Sequence, residues 1–307
     1  MKYLLSLRYW NKEMVDDLIS HASKIKKNPE KYFDILKSKT MLMIFEKPSL
    51  RTRASFEVGM TQLGGHAIYM DIKDSPLGKK ESIDDTAKTS SRYCDIMMAR
   101  LFKQDSIEKL ANNATVPVIN GLTDIFHPCQ ILSDLLTIYE KKNKLKGLKL
   151  CFVGDGNNNI VHSLLLGCSI VGINISISCP KKHEPLGWVI NLAEKNAKKS
   201  DSKIEILNNA EKAVDNVDIV YADTWMSYHI PKEQEDERIK TFKPYQVTAK
   251  LMANAKEDAI FMNCLPAIRG QEQTAEVIDG KQSIVFDQAE NRLHMQKAII
   301  LKLLHKI

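Results

Sequence analysis

The sequence predicts an α/β protein built from two domains, each a parallel sheet flanked by helices. Short runs rich in apolar and β-branched residues alternate with amphipathic stretches along all 307 residues. The alternation occurs twice, on either side of HPCQILSDLLTIYEKKNKLKG (127–147), where a helix leads into a Lys/Asn/Gly linker that marks the domain boundary. Strands that alternate with helices run parallel, because each crossover lays a helix on a face of the sheet. A chain of this length supplies two cores of ordinary size.

In chain order, the first half offers strands at MLMIF (41–45), HAIYM (66–70), DIMMA (95–99) and VPVIN (116–120). The helices between them are 51–63, 82–92 and 106–113. In the first of these Phe56, Met60 and Leu63 recur at helical spacing, and Gly64-Gly65 ends it. In the second half LKLCFVG (148–154), INISISC (173–179), VDIVYAD (217–223), AIFMNC (259–264) and SIVF (283–286) read as strands. Segments 158–170, 187–198, 245–255 and 288–305 read as helices. There is no solenoid repeat and no low-complexity tract.

Composition narrows the function. Hydrophobic content of 44% and charged content of 27% are those of a soluble globular chain. The net charge of +6 is spread over scattered lysines and short pairs, the pattern of a solvated surface and not of a nucleic-acid-binding stripe. The six cysteines form no CxxC pair, and several lie inside strand-like runs, which suits reduced thiols and neither disulfides nor zinc. The N-terminal apolar run is broken at Arg8, too early for a signal peptide, and no stretch reaches membrane-spanning length. A cytoplasmic protein with no membrane partner is expected.

In open α/β sheets ligands bind beyond the carboxyl ends of strands, and the unusual residues collect there. SLRTRASFE (49–57) follows the strand MLMIF and opens a helix, whose first turn offers unpaired N–H groups and a positive dipole end. Ser49 can cap it, the Ser49 and Thr52 hydroxyls can donate to an anion, and Arg51 adds a planar fork suited to phosphate or carboxylate. An ordinary cap followed by surface arginines is the plainer alternative. No GxxxxGK[ST] occurs, so this is not a P-loop. Arg100 ends a strand, and GLTDIFHPCQ (121–130) brings His127 and Gln130 to the same rim, where an imidazole can bond a carbonyl oxygen and Gln130 an amide. These loops describe a pocket for a phosphate joined to a polar carbonyl group.

VGDGNNNIVHS (153–163) suggests a dinucleotide fingerprint. Asn159 replaces the third glycine, however, and the acidic residue about twenty positions on is missing. The asparagines could bind an amino-acid head group instead. In YADTWMSY (221–228) Asp223 stands at a strand end, where its carboxylate can hold an ammonium, with Ser227 in the loop beyond. Cys264 stands at another strand end before Pro266, either a structural cysteine or one exposed by its loop. DQAENRLH (287–294) places Arg292 in the first turn of the last helix, a second candidate for carboxylate recognition.

FEKPSLRTRASFE, ESIDDTA, MARLF, FHPCQ, GDGNNN, DTWMS, NCLP and FDQAENRLH resemble, in order and over nearly the whole chain, the motifs of the carbamoyltransferases. CLP and DxWxS are similar to the ornithine branch. The aspartate branch usually has His-Pro-Leu-Pro where Asn263-Cys264-Leu265-Pro266 stands here. The resemblance implies a carbamoyl-phosphate-binding domain (1–135, with helix 288–307 packed back onto it), an ornithine-binding domain (136–287), and an active site in the cleft between them. It implies transfer of the carbamoyl group of carbamoyl phosphate to ornithine, giving citrulline and phosphate. It also implies no metal or organic cofactor and a homo-oligomer, a trimer or a multiple of trimers. Ser49, the backbone of Leu50, Arg51 and Thr52 would hold the phosphate. Arg100, His127 and Gln130 would hold the carbonyl and amide, and Arg292 would complete the site around the carbamoyl group. Asn159, Asp223, Ser227 and Tyr228 would hold ornithine, with Cys264 and Leu265 near the reacting amine.

The chain departs from the family pattern at five positions. Leu50 stands for a commoner threonine, Asn263 for a histidine, and Pro76 for a glutamine that reaches the neighbouring subunit's phosphate site. Tyr228 and His229 stand for methionine and glycine in the loop expected to close over ornithine. That loop keeps open a sister enzyme acting on putrescine, lysine or an acylated ornithine. Two other classes are a non-catalytic phosphate- or amino-acid-binding regulator and a hydrolase using Cys264 and His127. Arg53 is expected to serve structure or an interface.

Overall fold

Each half of the chain forms its own five-stranded parallel sheet in the computed structural model, which describes residues 2–74, 80–227 and 230–307. Contacts divide the chain into one unit of Met1–Leu136 with Glu290–Ile307 and a second of Thr137–Ala289.

In the first unit the strands are β1 (Tyr3–Leu4), β2 (Thr40–Phe45), β3 (His66–Asp71), β4 (Ile96–Arg100) and β5 (Val118–Leu122), in the order β1-β5-β4-β2-β3. The helices are α1 (Lys12–Lys27), α2 (Leu50–Gln62), α3 (Ile83–Ser90), α4 (Gln104–Asn113) and α5 (Pro128–Lys142), which runs on into the second unit. All five residues of β4 are buried, as expected of a central strand covered on both faces. Ile44, Met97, Ala99, Ile107, Leu110 and Val118 close a core on one side of this sheet. Because β3 and β4 lie on opposite sides of β2, the sheet reverses direction between β2 and β4, where Phe45 pairs with Arg100. That reversal opens a crevice at the strands' carboxyl ends.

The second unit repeats the device. Its strands are β6 (Lys149–Val153), β7 (Asn174–Ser178), β8 (Ile204–Leu207), β9 (Ile219–Ala222) and β10 (Ile260–Asn263), in the order β10-β9-β6-β7-β8. Its helices are α6 (Asn159–Val171), α7 (Gly187–Ser200), α8 (Ala210–Val214), α9 (Glu235–Phe242), α10 (Ala249–Met252) and α11 (Ala275–Ile278). The last helix, α12 (Val285–Leu303), starts here and ends in the first unit. The reversal lies between β6 and β9, where Val153 pairs with Ala222. Twelve of α6's thirteen residues are buried, and its C-terminus closes on Gly172 in the left-handed region (φ 83°).

Three expectations need correction. SIVF is not a strand: only Ser283 bridges to Phe261, and the chain turns into α12 at Val285. The segment does follow β10, with Phe261 N–H donating to Gln282 O and Ile284 N–H to Phe261 O, so its β-branched residues reflect a strand-like stub. Because α12 begins there, Arg292 lies two turns into the helix and not in its first turn. The helix expected over 245–255 shortens to Ala249–Met252, because Val247 is drawn out by hydrogen bonds with Glu272 O and Thr274 N. The elements β1, α1 and β8 had no counterpart in the sequence reading. Among the described residues no helix is long and apolar enough to cross a membrane.

Candidate active site

In the first unit the apolar strand β2 ends at Phe45, and Ser49 caps α2 by accepting the Thr52 N–H at 3.3 Å. The Ser49 hydroxyl proton goes to Thr52 Oγ1 at 3.1 Å, and Arg292 Nη2 donates to the same oxygen at 3.4 Å. Thr52 thus accepts twice and keeps its own proton to donate, whereas the proton of Ser49 is committed. The Leu50 side chain is 79% exposed, which leaves its backbone as the part that serves the helix terminus. Arg51 is half-buried in the first turn. Arg53 lies apart: it donates to Glu57 at 3.2 Å and stacks 3.9 Å over the Tyr69 ring, a structural role.

Arg292 is buried and ties the site together. Its Nη1 donates to Gln130 Oε1 at 2.6 Å, and the Gln130 amide donates to Asp134 at 2.8 Å. With its amide oxygen turned to the guanidinium, Gln296 accepts from Arg292 Nη2 and Nε at 3.1 and 3.2 Å and donates to Ser55 at 2.6 Å. Gln130 Oε1 retains a second lone pair for an amide N–H.

Arg100 and His127 are buried at the ends of β4 and of the loop after β5. A bulge aims them: Ala99 pairs with Asn120 and Arg100 with Leu122, so Gly121 is the extra residue. A Cβ on Gly121 would lie 2.6 Å from Met98 Sδ, so only glycine fits. Thr123 fixes the next turn, accepting the Phe126 N–H at 3.2 Å and donating to Gln104 at 2.6 Å. Burial, then Arg292 and Arg100, hold the His127 imidazole well below its ordinary pKa, so it is neutral at neutral pH.

Sequence reasoning missed Lys47. It is buried beside Arg100 with its ammonium 4.2 Å from the Phe102 ring centroid, and burial and then Arg100 lower its pKa to about 8. Glu46 braces the same corner, donating its N–H to Arg100 O at 2.9 Å and accepting the Phe102 N–H at 2.6 Å.

In the second unit Asp223 follows β9 and is buried. Its Oδ1 accepts the Cys264 thiol proton at 3.1 Å, and burial raises its carboxyl to about 6. Cys264 is partly exposed and so differs from the other five cysteines, all free and buried. Burial pushes Cys129, Cys151 and Cys179 up to about 12. Leu265 takes a left-handed backbone (φ 56°), held by its N–H on Asn263 Oδ1 at 2.8 Å. Asn158, not Asn159, caps α6, accepting the Val161 N–H at 2.9 Å, and Asn159 is its first residue. Gly156 is required in that loop, since a Cβ would lie 2.6 Å from His183 O. Arg238, also missed, pairs with Asp155 and donates to Trp225 O at 2.7 Å, joining the loops after β6 and β9. Thr224 accepts the Met226 N–H at 3.1 Å, and Ser227 ends the described part of that loop. Tyr228, His229 and Pro76 lie outside the described residues.

Residues 2–140 match the family described as aspartate/ornithine carbamoyltransferase, carbamoyl-P binding domain. Residues 146–303 match its Asp/Orn binding domain. The chain is 48% identical over 305 residues to the ornithine carbamoyltransferase of Bacillus subtilis (strain 168), covering 99% of this chain and 94% of the relative. It superposes on the ornithine carbamoyltransferase of Pyrococcus furiosus with a TM-score of 0.95 at 45% identity, over 100% of this chain and 98% of that one. The anabolic enzyme of that name from Campylobacter jejuni gives 0.93 at 36% identity over 100% of both chains. Motif order, two reversing parallel sheets and full-length identity agree: the chain belongs to the aspartate/ornithine carbamoyltransferase family.

Proposed function

We propose that the protein transfers the carbamoyl group of carbamoyl phosphate to the side-chain amine of L-ornithine, giving L-citrulline and phosphate in arginine metabolism. The observation that carries this reading is the buried group at the ends of β2 and β4, where Lys47, Arg100 and neutral His127 gather beside the α2 N-terminus. Like charges buried together call for an anion, and a neutral imidazole donates to a carbonyl without adding charge. The relatives' names supply ornithine, and the anabolic Campylobacter likeness supports the biosynthetic direction.

Residues 1–135 with 288–307 bind carbamoyl phosphate, and 136–287 bind ornithine. Ser49 caps the cradle, and the Leu50 N–H, Arg51 and Thr52 hold phosphate at the positive end of α2. Gln130, kept in place by Arg292, accepts the amide N–H. The neutral amine of ornithine, oriented by Asp223 and Cys264, attacks the carbamoyl carbon. Arg100, His127 and Thr52 stabilise the resulting oxyanion, about 3 kcal/mol per well-placed donor. The C–O bond to phosphate then breaks, and phosphate leaves on Arg51. Asn159, Ser227 and Tyr228 hold the amino-acid end, and Leu265 lines the reacting amine. The protein needs no metal or organic cofactor and acts as a cytoplasmic homotrimer. The exposed Leu50 and Val58 on α2 and Ile68 on the edge strand β3 supply an apolar face for a second copy.

Offering ornithine, putrescine, lysine and N-acetylornithine side by side with carbamoyl phosphate tests the acceptor. Citrulline as the dominant product is expected. A product from another amine alone assigns the sister activity that Tyr228-His229 keeps open, and saturable carbamoyl-phosphate binding without any product makes the protein a regulator. Light scattering tests the trimer.

A further inference from the structure

The turn after Cys264 is closed by two neighbouring side chains that grip one residue. Glu272 Oε2 accepts the Ile268 N–H at 3.1 Å, and Gln273 Nε2 donates to Ile268 O at 3.3 Å. Gln273 Oε1 also accepts from Asn263 Nδ2 at 3.1 Å, so the grip reaches back to the end of β10. Glu272 is 0% exposed, its backbone carbonyl accepts the Val247 N–H, and its Oε1 is buried with no donor among the described residues.

A carboxyl is an expensive choice for accepting one amide bond in an apolar place, since glutamine would do the same without a charge to desolvate. The extra feature of Glu272 is its ionisation. Burial first, with the charge of Asp223 adding to it, raises its carboxyl to about 7. Arg269, in the same turn, is engaged with Asp279 at 2.6 and 2.8 Å, and Asp155 adds its charge at Asp223. Two buried carboxyls whose charges act on each other titrate as a pair.

We propose that Glu272 is a second carboxyl of the acceptor site, a positioning residue that acts through the turn carrying Cys264 and through the charge of Asp223. This rests on the amine-carbamoylating reading above. An ornithine ammonium at Asp223 and a proton on the pair are alternative carriers of the same positive charge. When the amine becomes neutral its N–H bond breaks and a carboxyl O–H bond forms, so the proton that must leave before attack stays within the pair. Glu272 thereby sets the pH at which the amine is released for reaction.

The test compares wild type with Glu272→Gln for ornithine KM, kcat and their pH profiles, with carbamoyl-phosphate Kd as a control. The variant should keep that Kd and lose about tenfold in kcat/KM for ornithine. The acidic limb of its profile should move to lower pH as Asp223 loses a like-charged neighbour. A profile that superimposes on wild type, with kcat/KM within twofold, overturns the proposal. If wild type makes no citrulline, the functional reading fails on its own, and carboxyl NMR of the intact protein decides this one. Glu272 should then titrate lower in Asp223→Asn than in wild type, and an unchanged titration refutes the coupling.

Discussion

The crevice after β2 and β4 and the one after β6 and β9 share a topology and differ in charge. The first gathers Lys47, Arg100, His127 and Arg292, and the second Asp223 and Glu272. One cause acts on both with opposite sign. Burial lowers Lys47 to about 8 and His127 below its ordinary value, while it raises Asp223 to about 6 and Glu272 to about 7. Each crevice therefore favours the neutral form of its own groups until a ligand of opposite charge arrives. The comparison teaches that the fold supplies the place and desolvation the poise, while residue type decides which substrate each half accepts.

The largest effect expected short of removing the phosphate clamp comes from the oxyanion donor. His127→Ala should cost roughly 10²–10³ in turnover with little change in ornithine KM. Turnover within tenfold of wild type would separate the imidazole from the chemistry.

Next comes a pair of opposite pH slopes. The Asp223 carboxyl is raised from 3.8 to about 6, so its stabilising contribution is fully present below 3.8 and is lost as pH rises through 6. Asp223→Asn should therefore resist urea better than wild type at pH 7, by on the order of 2–3 kcal/mol, with the gain vanishing near pH 4. His127 is lowered from 6.5, so the unfolded chain takes up a proton that the folded one refuses, and stability falls as pH drops below that value. His127→Gln should flatten that fall. Equal slopes in the two variants and wild type would break the comparison.

Smaller still is the cap. Ser49→Ala should lose about 1 kcal/mol of stability in denaturant titration, together with weaker carbamoyl-phosphate binding. Arg53→Ala, which breaks an exposed pair with Glu57, should leave turnover within about twofold.

Much of this was legible because strand-end residues announce themselves locally. MLMIF running into SLRTR specifies a buried strand, a cap and an anion-seeking helix start within a few residues, and VDIVYAD places Asp223 by the same logic. Burial in a cluster is not a local property. Lys47 looked like half of a surface dipeptide, Glu272 like a loop charge, and Arg238 like one of many cations on a polar helix. SIVF misled for a related reason: its residues suit a strand, and whether they become one depends on β10, which pairs with only the first of them. The edge strand β8 alternates as a strand should, but at four residues it falls short between polar flanks. β1 is two residues long and exists through its pairing with β5.

The most direct test of the central claim, that the start of α2 is a phosphate cradle for carbamoyl transfer, is the rate of citrulline formation by Arg51→Ala. The account predicts that the folded variant forms essentially none from carbamoyl phosphate and ornithine. Near-normal turnover would contradict it.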